Sequence, residues 1–266
     1  SWPRPELSFR RRPESRYIEM DPGLCRGDES DGSRRITYMT LNFPLPVKAV
    51  VIDLDGTLLD TAEDLADAAE AMLVDMGMPA VSLAEIKTYI GNGVSRLVKR
   101  SLTRDMQAEP DPALFEQALA SYEKHYGAHV SRKSSVFPGV VEGLQALQAG
   151  GYRLACITNK AARFTHPLLK DTGLFNYFEL ILSGDTLSKK KPDPLPLLHA
   201  CQVFDIQPDE LLLIGDSLND TQAARAAGCA VFCVPYGYNR GRPVSELDLD
   251  AVVQTLADAA KLIVKK

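Results

Sequence analysis

The chain has 266 residues, of which 45% are hydrophobic and 24% charged, and a formal net charge of −5. That length supplies ample material for a core and allows one large domain or two small ones, while the slight acidity gives no basic field to favour nucleic acid or an anionic membrane surface. No apolar run approaches the length of a membrane span, and no apolar stretch near the N-terminus reads as a secretory signal.

Residues 1–46 differ in composition from the rest of the chain. Ser1 to Tyr38 is dense in Arg, Glu, Asp, Pro, Ser and Gly with no sustained apolar period, so it cannot bury enough surface to offset the entropy of ordering it. We read 1–46 as a disordered extension, in which Arg10-Arg11-Arg12 is offset by Glu6 and Glu14. A strand is expected over Val47–Leu54. From Thr61 the pattern turns helical: Leu65, Ala68, Ala69, Met72 and Leu73 make one stripe, Asp60 or Thr61 can cap it, and Gly77 stops it. Ser82 with Glu85 makes a capping box for a second helix. Tyr89-Ile90-Gly91-Asn92-Gly93 interrupts, Val94–Leu102 resumes, and Pro112 to Val130 is a long helix. Residues 61–133 thus read as an all-helical insertion in the first crossover of an α/β fold. Beyond Phe137-Pro138-Gly139, strands expected at Tyr152–Thr158, Glu179–Ser183, Leu211–Gly215 and Ala230–Val234 alternate with helices, and Leu256–Val264 reads as a last helix. The alternation implies βαβ units and a doubly wound, Rossmann-like parallel sheet formed by 47–60 and 134–266. The five cysteines, Cys25, Cys156, Cys201, Cys229 and Cys233, are odd in number and lack C-x-x-C spacing. They read as small core residues in a reducing cytoplasm, not as a disulfide framework or zinc site. The histidines form no metal-like pair.

Four stretches carry chemistry. Val50-Val51-Ile52-Asp53-Leu54-Asp55-Gly56-Thr57 is a buried strand ending in two carboxylates, which alternation places on one side, over the crevice where open α/β sheets bind ligands. Close carboxylates repel unless a cation or a shared proton compensates; a solvated Asp-Gly turn is the plainer alternative. Leu154-Ala155-Cys156-Ile157-Thr158-Asn159-Lys160 is a strand whose hydroxyl and following helix start suit a phosphoryl oxygen, or serve as an ordinary N-cap. In Ser188-Lys189-Lys190-Lys191-Pro192-Asp193-Pro194, the proline restricts Lys191, which can place one point charge in a cleft, while Lys189 and Lys190 read as solvated. Leu211-Leu212-Leu213-Ile214-Gly215-Asp216-Ser217-Leu218-Asn219-Asp220 is another strand ending in two acids. Four carboxylates on two strand ends suit a hard divalent ion such as magnesium.

DLDGTLLDT, TNK after a strand, KPDP and GDSLND stand in the order of the haloacid dehalogenase-like phosphatases, which the chain resembles from Val47 onward. TYIGNGVSRLVKRSL and VPYGYNRGRP extend the resemblance to members acting on 2-phosphoglycolate. It implies Asp53 as nucleophile forming an aspartyl-phosphate, and Asp55 as the acid and base for leaving group and water. It implies Mg2+ held by the Asp53 carboxylate, the Asp55 carbonyl and Asp216, with Asp220 in support, and Thr158, Asn159 and Lys191 on the phosphoryl group. The insertion would be a mobile cap whose loop carries Asn92 and, on the next helix, Arg96 as substrate contacts; Lys99 and Arg100 read as a solvated basic face. The expected partner is a small phosphorylated metabolite, with no nucleic acid and no membrane, and no oligomeric state is fixed. The alternatives are a phosphatase of another small metabolite or sugar phosphate, and a sugar-phosphate mutase. Asp55 argues against carbon–halogen hydrolysis, whose members lack that carboxylate, and the complete set of motifs argues against a non-catalytic binder.

Overall fold

The computed structural model describes residues 43–266. The expectations for 1–42, including the Arg10–Arg12 patch and Cys25, lie outside the described residues. Two residues assigned to the extension do not fit it: Leu45–Val47 is a strand, β1. It pairs in parallel with β10, Ile263–Lys265, so Leu45 and Val47 are buried between the two ends of the described chain. The expected strand Val47–Leu54 therefore divides, and the core strand is β2, Ala49–Ile52. The last helix is α9, Leu256–Lys261, shorter than expected because Leu262 to Lys265 turns out to join β1.

Six parallel strands form the central sheet in the order β6-β5-β2-β7-β8-β9. Here β5 is Arg153–Ile157, β6 Leu180–Leu182, β7 Leu211–Gly215, β8 Ala230–Cys233 and β9 Ala251–Val252. β2 is buried at all four positions, as its unbroken β-branched run requires of a central parallel strand. Helices α5 (Val140–Ala149), α6 (Ala162–Asp171), α7 (Leu195–Phe204) and α8 (Leu218–Ala227) connect the strands. The register decides what meets what: Ile52 pairs with Cys156 on one side and Ile214 on the other. The residues that follow these three strands, Asp53, Thr158 and Asp216, therefore end up side by side. Cys156, Cys201, Cys229 and Cys233 are buried free thiols, as read from the sequence.

Four helices fill the first crossover: α1 (Ala62–Asp75), α2 (Leu83–Tyr89), α3 (Val94–Thr103) and α4 (Pro112–Ala128). Leu65, Ala69, Met72 and Leu73 of α1 pack with Ile86, Leu97, Tyr122 and Tyr126 in an apolar cluster separate from the one under the sheet. The Ser82–Glu85 capping box forms. The stems of this segment are tied in ways too short to have a period: β3 (Leu59–Asp60) pairs antiparallel with β4 (Ser135–Val136). Buried Asp64 accepts hydrogen bonds from the Lys133 and Ser134 backbone N–H groups and the Ser134 hydroxyl, where the chain leaves the helices. Among the described residues no helix is long and apolar enough to cross a membrane.

Candidate active site

The C-terminal ends of β2, β5 and β7 bring the four stretches together. Asp53, Asp216 and Asp220 are buried with a carboxylate oxygen of each within 4.8 Å of the others. The Lys191 ammonium lies 2.8 Å from Asp53 Oδ1 and 2.6 Å from Asp220 Oδ1. Asp220 is also the N3 residue of a capping box at the start of α8, so Oδ2 accepts from the Ser217 N–H and hydroxyl. Its orientation is thereby fixed by the helix it begins. Asp216 Oδ2 accepts from the Tyr238 N–H at 2.5 Å. Gly56 explains itself here: at φ +89, a Cβ on it would lie 2.4 Å from Asp216 Oδ2, so backbone and carboxylate meet only because no side chain intervenes.

The electrostatics follow from burial. Desolvation pushes the Asp53 carboxyl up to about 7 in spite of the opposing Lys191 charge, with Asp220 adding to the rise. Desolvation raises Asp216 well above the carboxylate range, helped by the charges of Asp220 and Asp53. Burial works against the Lys191 ammonium, but Asp220 and Asp53 outweigh it and hold its pKa above the ordinary lysine value. Three buried acids against one ammonium cannot all ionise without further positive charge. An all-oxygen, clustered set of this kind fits a hard divalent cation.

Asp55 lies just outside the triad. Its Oδ1 accepts from the Thr61 hydroxyl at 2.7 Å and from the Lys160 ammonium at 3.0 Å. Thr158 Oγ1 accepts from the Lys160 N–H at 3.2 Å, which leaves its own proton free to be donated. Asn159 is differently occupied: its amide donates to the carbonyls of Gly91 and Lys191, so it holds the lysine loop and the helical segment's loop together.

That loop is the contact between the two parts of the cleft. Asn219 donates to the Gly91 carbonyl, Asn92 donates to Asn219 Oδ1, and Lys190 donates to the Asn92 carbonyl. Gly93, at φ +84, sits where a Cβ would be 3.0 Å from both the Asn159 carbonyl and the Lys190 ammonium. Asn92 Oδ1 accepts from Arg100 and Arg240. Arg96 is not brought to the cleft. It turns outward to Glu109 Oε1 at 2.6 Å and the Met106 carbonyl at 2.8 Å. Arg100, read as solvated, is instead buried and donates to the Tyr89 carbonyl and Asn92. Burial lowers its pKa to about 10, with the charges of Arg240 and Arg96 adding to the effect. Lys190 is exposed as read, yet it reaches the loop.

Two residues went unassigned in the sequence. Lys160 stands in the TNK stretch and lines the cleft with only 2% of its side chain exposed. Tyr238 stands in VPYGYNRGRP; its hydroxyl donates to Asp60 and accepts from the N–H groups of Thr61 and Ala62, capping α1 from outside. Neither contact has a local spacing that announces it.

The sequence pattern described as Haloacid dehalogenase-like hydrolase matches residues 50–234. A protein of Thiobacillus denitrificans called phosphoglycolate phosphatase is 75% identical over 224 residues, covering 84% of this chain and 99% of its own. One of the same name from Nitrosospira multiformis is 60% identical, covering 85% and 99%. A crystal structure from Haemophilus somnus 129PT, described as a predicted phosphoglycolate phosphatase, superimposes with a TM-score of 0.77 at 35% identity, covering 81% of this chain and 97% of that one.

Proposed function

This chain belongs to the haloacid dehalogenase-like hydrolases, and on that premise we propose that it hydrolyses 2-phosphoglycolate to glycolate and phosphate with magnesium. The observation that carries the reading is the buried triad of Asp53, Asp216 and Asp220 around Lys191, with Asp55 beside it. The relatives named phosphoglycolate phosphatase support the substrate.

Asp53 is the nucleophile: its carboxylate oxygen attacks phosphorus as the bond to the glycolate oxygen breaks, giving an aspartyl-phosphate. Asp55 gives its proton to the departing oxygen, then takes one from the water that cleaves the acyl-phosphate and regenerates Asp53. Lys191 and the Thr158 hydroxyl hold phosphoryl oxygens while charge moves across the group. Asp53, the Asp55 carbonyl and Asp216 would hold the magnesium, and Asp220 acts through Lys191 and the turn entering α8. The ion, when bound, supplies positive charge that lets an anionic nucleophile approach an anionic ester. Residues 61–133 form a cap over a core made of 45–60 and 134–266. The cap closes through Gly91 to Gly93, with Asn159 and Asn219 as its latch on the core. The enzyme works in the cytoplasm.

Phosphate release from 2-phosphoglycolate, hexose phosphates and an aryl phosphate, each with magnesium and with EDTA, tests this. Hydrolysis of 2-phosphoglycolate above the others and dependent on magnesium is expected. Preference for a hexose phosphate, or release unaffected by EDTA, overturns it.

A further inference from the structure

We propose that Lys160 is the specificity-determining residue that binds the carboxylate of the substrate; this rests on the reading of 2-phosphoglycolate above. The cap contributes Leu65, Ile90, Gly91, Gly93, Val94 and Leu97 to the cleft, none of which carries a charge. Its basic residues are spent elsewhere: Arg96 on Glu109, and Arg100 on the Tyr89 carbonyl and Asn92. Among the described residues, the cations lining the cleft are Lys191 and Lys160. Lys191 sits between Asp53 and Asp220, where the phosphoryl group must go.

The chemistry of the substrate places its second charge beside Lys160. In 2-phosphoglycolate a single methylene separates the ester oxygen from the carboxylate carbon. Asp55 must reach that ester oxygen to protonate it, and the Lys160 ammonium is 3.0 and 3.2 Å from the two Asp55 oxygens. A carboxylate one carbon beyond the oxygen that Asp55 addresses therefore falls within reach of Lys160. An ammonium carries three donors, of which Asp55 occupies at most two. Tyr126 of α4 covers the ammonium with its ring, the centroid 4.9 Å away. A cation so shielded from water attracts an anion more strongly than a solvated one. A neutral hydroxyl at the same place would gain far less, so the lysine separates 2-phosphoglycolate from uncharged esters of similar size.

The test is Lys160→Met, assayed with 2-phosphoglycolate and with 2-hydroxyethyl phosphate, in which the carboxylate is replaced by a hydroxymethyl group. The two substrates are compared on one preparation, so the folded fraction cancels. The ratio of their kcat/KM values is expected to fall by about ten- to a hundredfold. An equal loss on both, leaving the ratio unchanged, would mean that Lys160 acts only on Asp55 and would overturn the assignment. Binding gives a readout that needs no turnover: calorimetry with magnesium on Asp53→Asn and on Asp53→Asn/Lys160→Met, titrating 2-phosphoglycolate and inorganic phosphate. The second change should weaken 2-phosphoglycolate by the same factor and leave phosphate alone; equal weakening overturns it too. Failure of the broader reading looks different, because wild-type enzyme would then show no preference for 2-phosphoglycolate at all.

Discussion

Removing magnesium should make the stability of the protein fall as pH rises from 5 to 7.5. In the metal-free fold burial holds the Asp53 carboxyl at about 7, against an ordinary 3.8. A carboxyl raised by folding contributes stability that is fully present below its unfolded pKa and is lost as pH rises through the folded value. The whole difference is worth on the order of 4 kcal/mol, of which about 3 kcal/mol falls between pH 5 and 7.5. Asp216 is raised well above the carboxylate range by the same burial, and so acts in the same direction. Lys191 is raised above the ordinary lysine value, so its contribution is lost only well above this window.

Bound magnesium favours the ionised carboxylates, so its stabilising effect must grow as the protons leave. Calorimetric melting from pH 5 to 7.5 in EDTA and in excess magnesium checks this. At about 2–4 °C per kcal/mol for a domain of this size, the EDTA curve should drop by roughly 6–12 °C and the gap between curves should widen with pH. Parallel curves, with the same benefit from magnesium at both ends, would refute the reasoning: the triad would then be ionised throughout, with Lys191 alone sufficient to hold it.

Asp53→Asn should release no phosphate while melting at or above the wild-type temperature in EDTA at pH 7.5, since it removes a buried acid from the triad. Asn92→Ala breaks the bonds to Asn219, Arg100 and Arg240 and should lower kcat/KM at least about tenfold on every phosphomonoester. Arg96→Ala, whose contacts are with exposed Glu109 and the Met106 carbonyl, should stay within about twofold in the same assay. Tyr238→Phe strands the N–H of Thr61, while that of Ala62 keeps Asp60 Oδ1, and should cost about 1–2 kcal/mol in urea unfolding.

The core of the site was legible because each functional residue follows a strand whose composition is unmistakable. Ile52, Ile157 and Ile214 end apolar runs, and β2 in the middle of a parallel sheet forces Asp53, Thr158 and Asp216 to the same edge. Lys191 comes on the loop after its strand, held by a proline, and Asp220 in the first turn of the helix after its strand, held by a capping box. The helical segment was legible from its stripes, but its stems were not. Two-residue strands such as Leu59–Asp60 have no period to read, and Asp64 looks like any acid in a first turn until it is seen binding Lys133 and Ser134. The terminal pair failed for a related reason: Ile263–Lys265 is a strand because Leu45–Val47 lies beside it, and local propensity carries no sign of so distant a partner.

Arg96 and Arg100 show where spacing stops deciding. They are four apart on α3 and so share a side of the helix, and nothing in the pattern chooses between them. Proximity to Gly91-Asn92-Gly93 favoured Arg96. Long helical side chains, however, lean back toward the N-terminus, so an arginine one turn further along can reach over the turn before it. Arg100 does this, donating to Asn92 and to Tyr89, and its guanidinium is buried there. Arg96 has acceptors of its own in Glu109 and Met106, on a stretch whose position depends on the packing of α3 against α4. Arg100 thereby becomes part of the loop's support while Arg96 does not touch it, and on the proposed assignment recognition of the substrate's second charge passes to Lys160, beside Asp55.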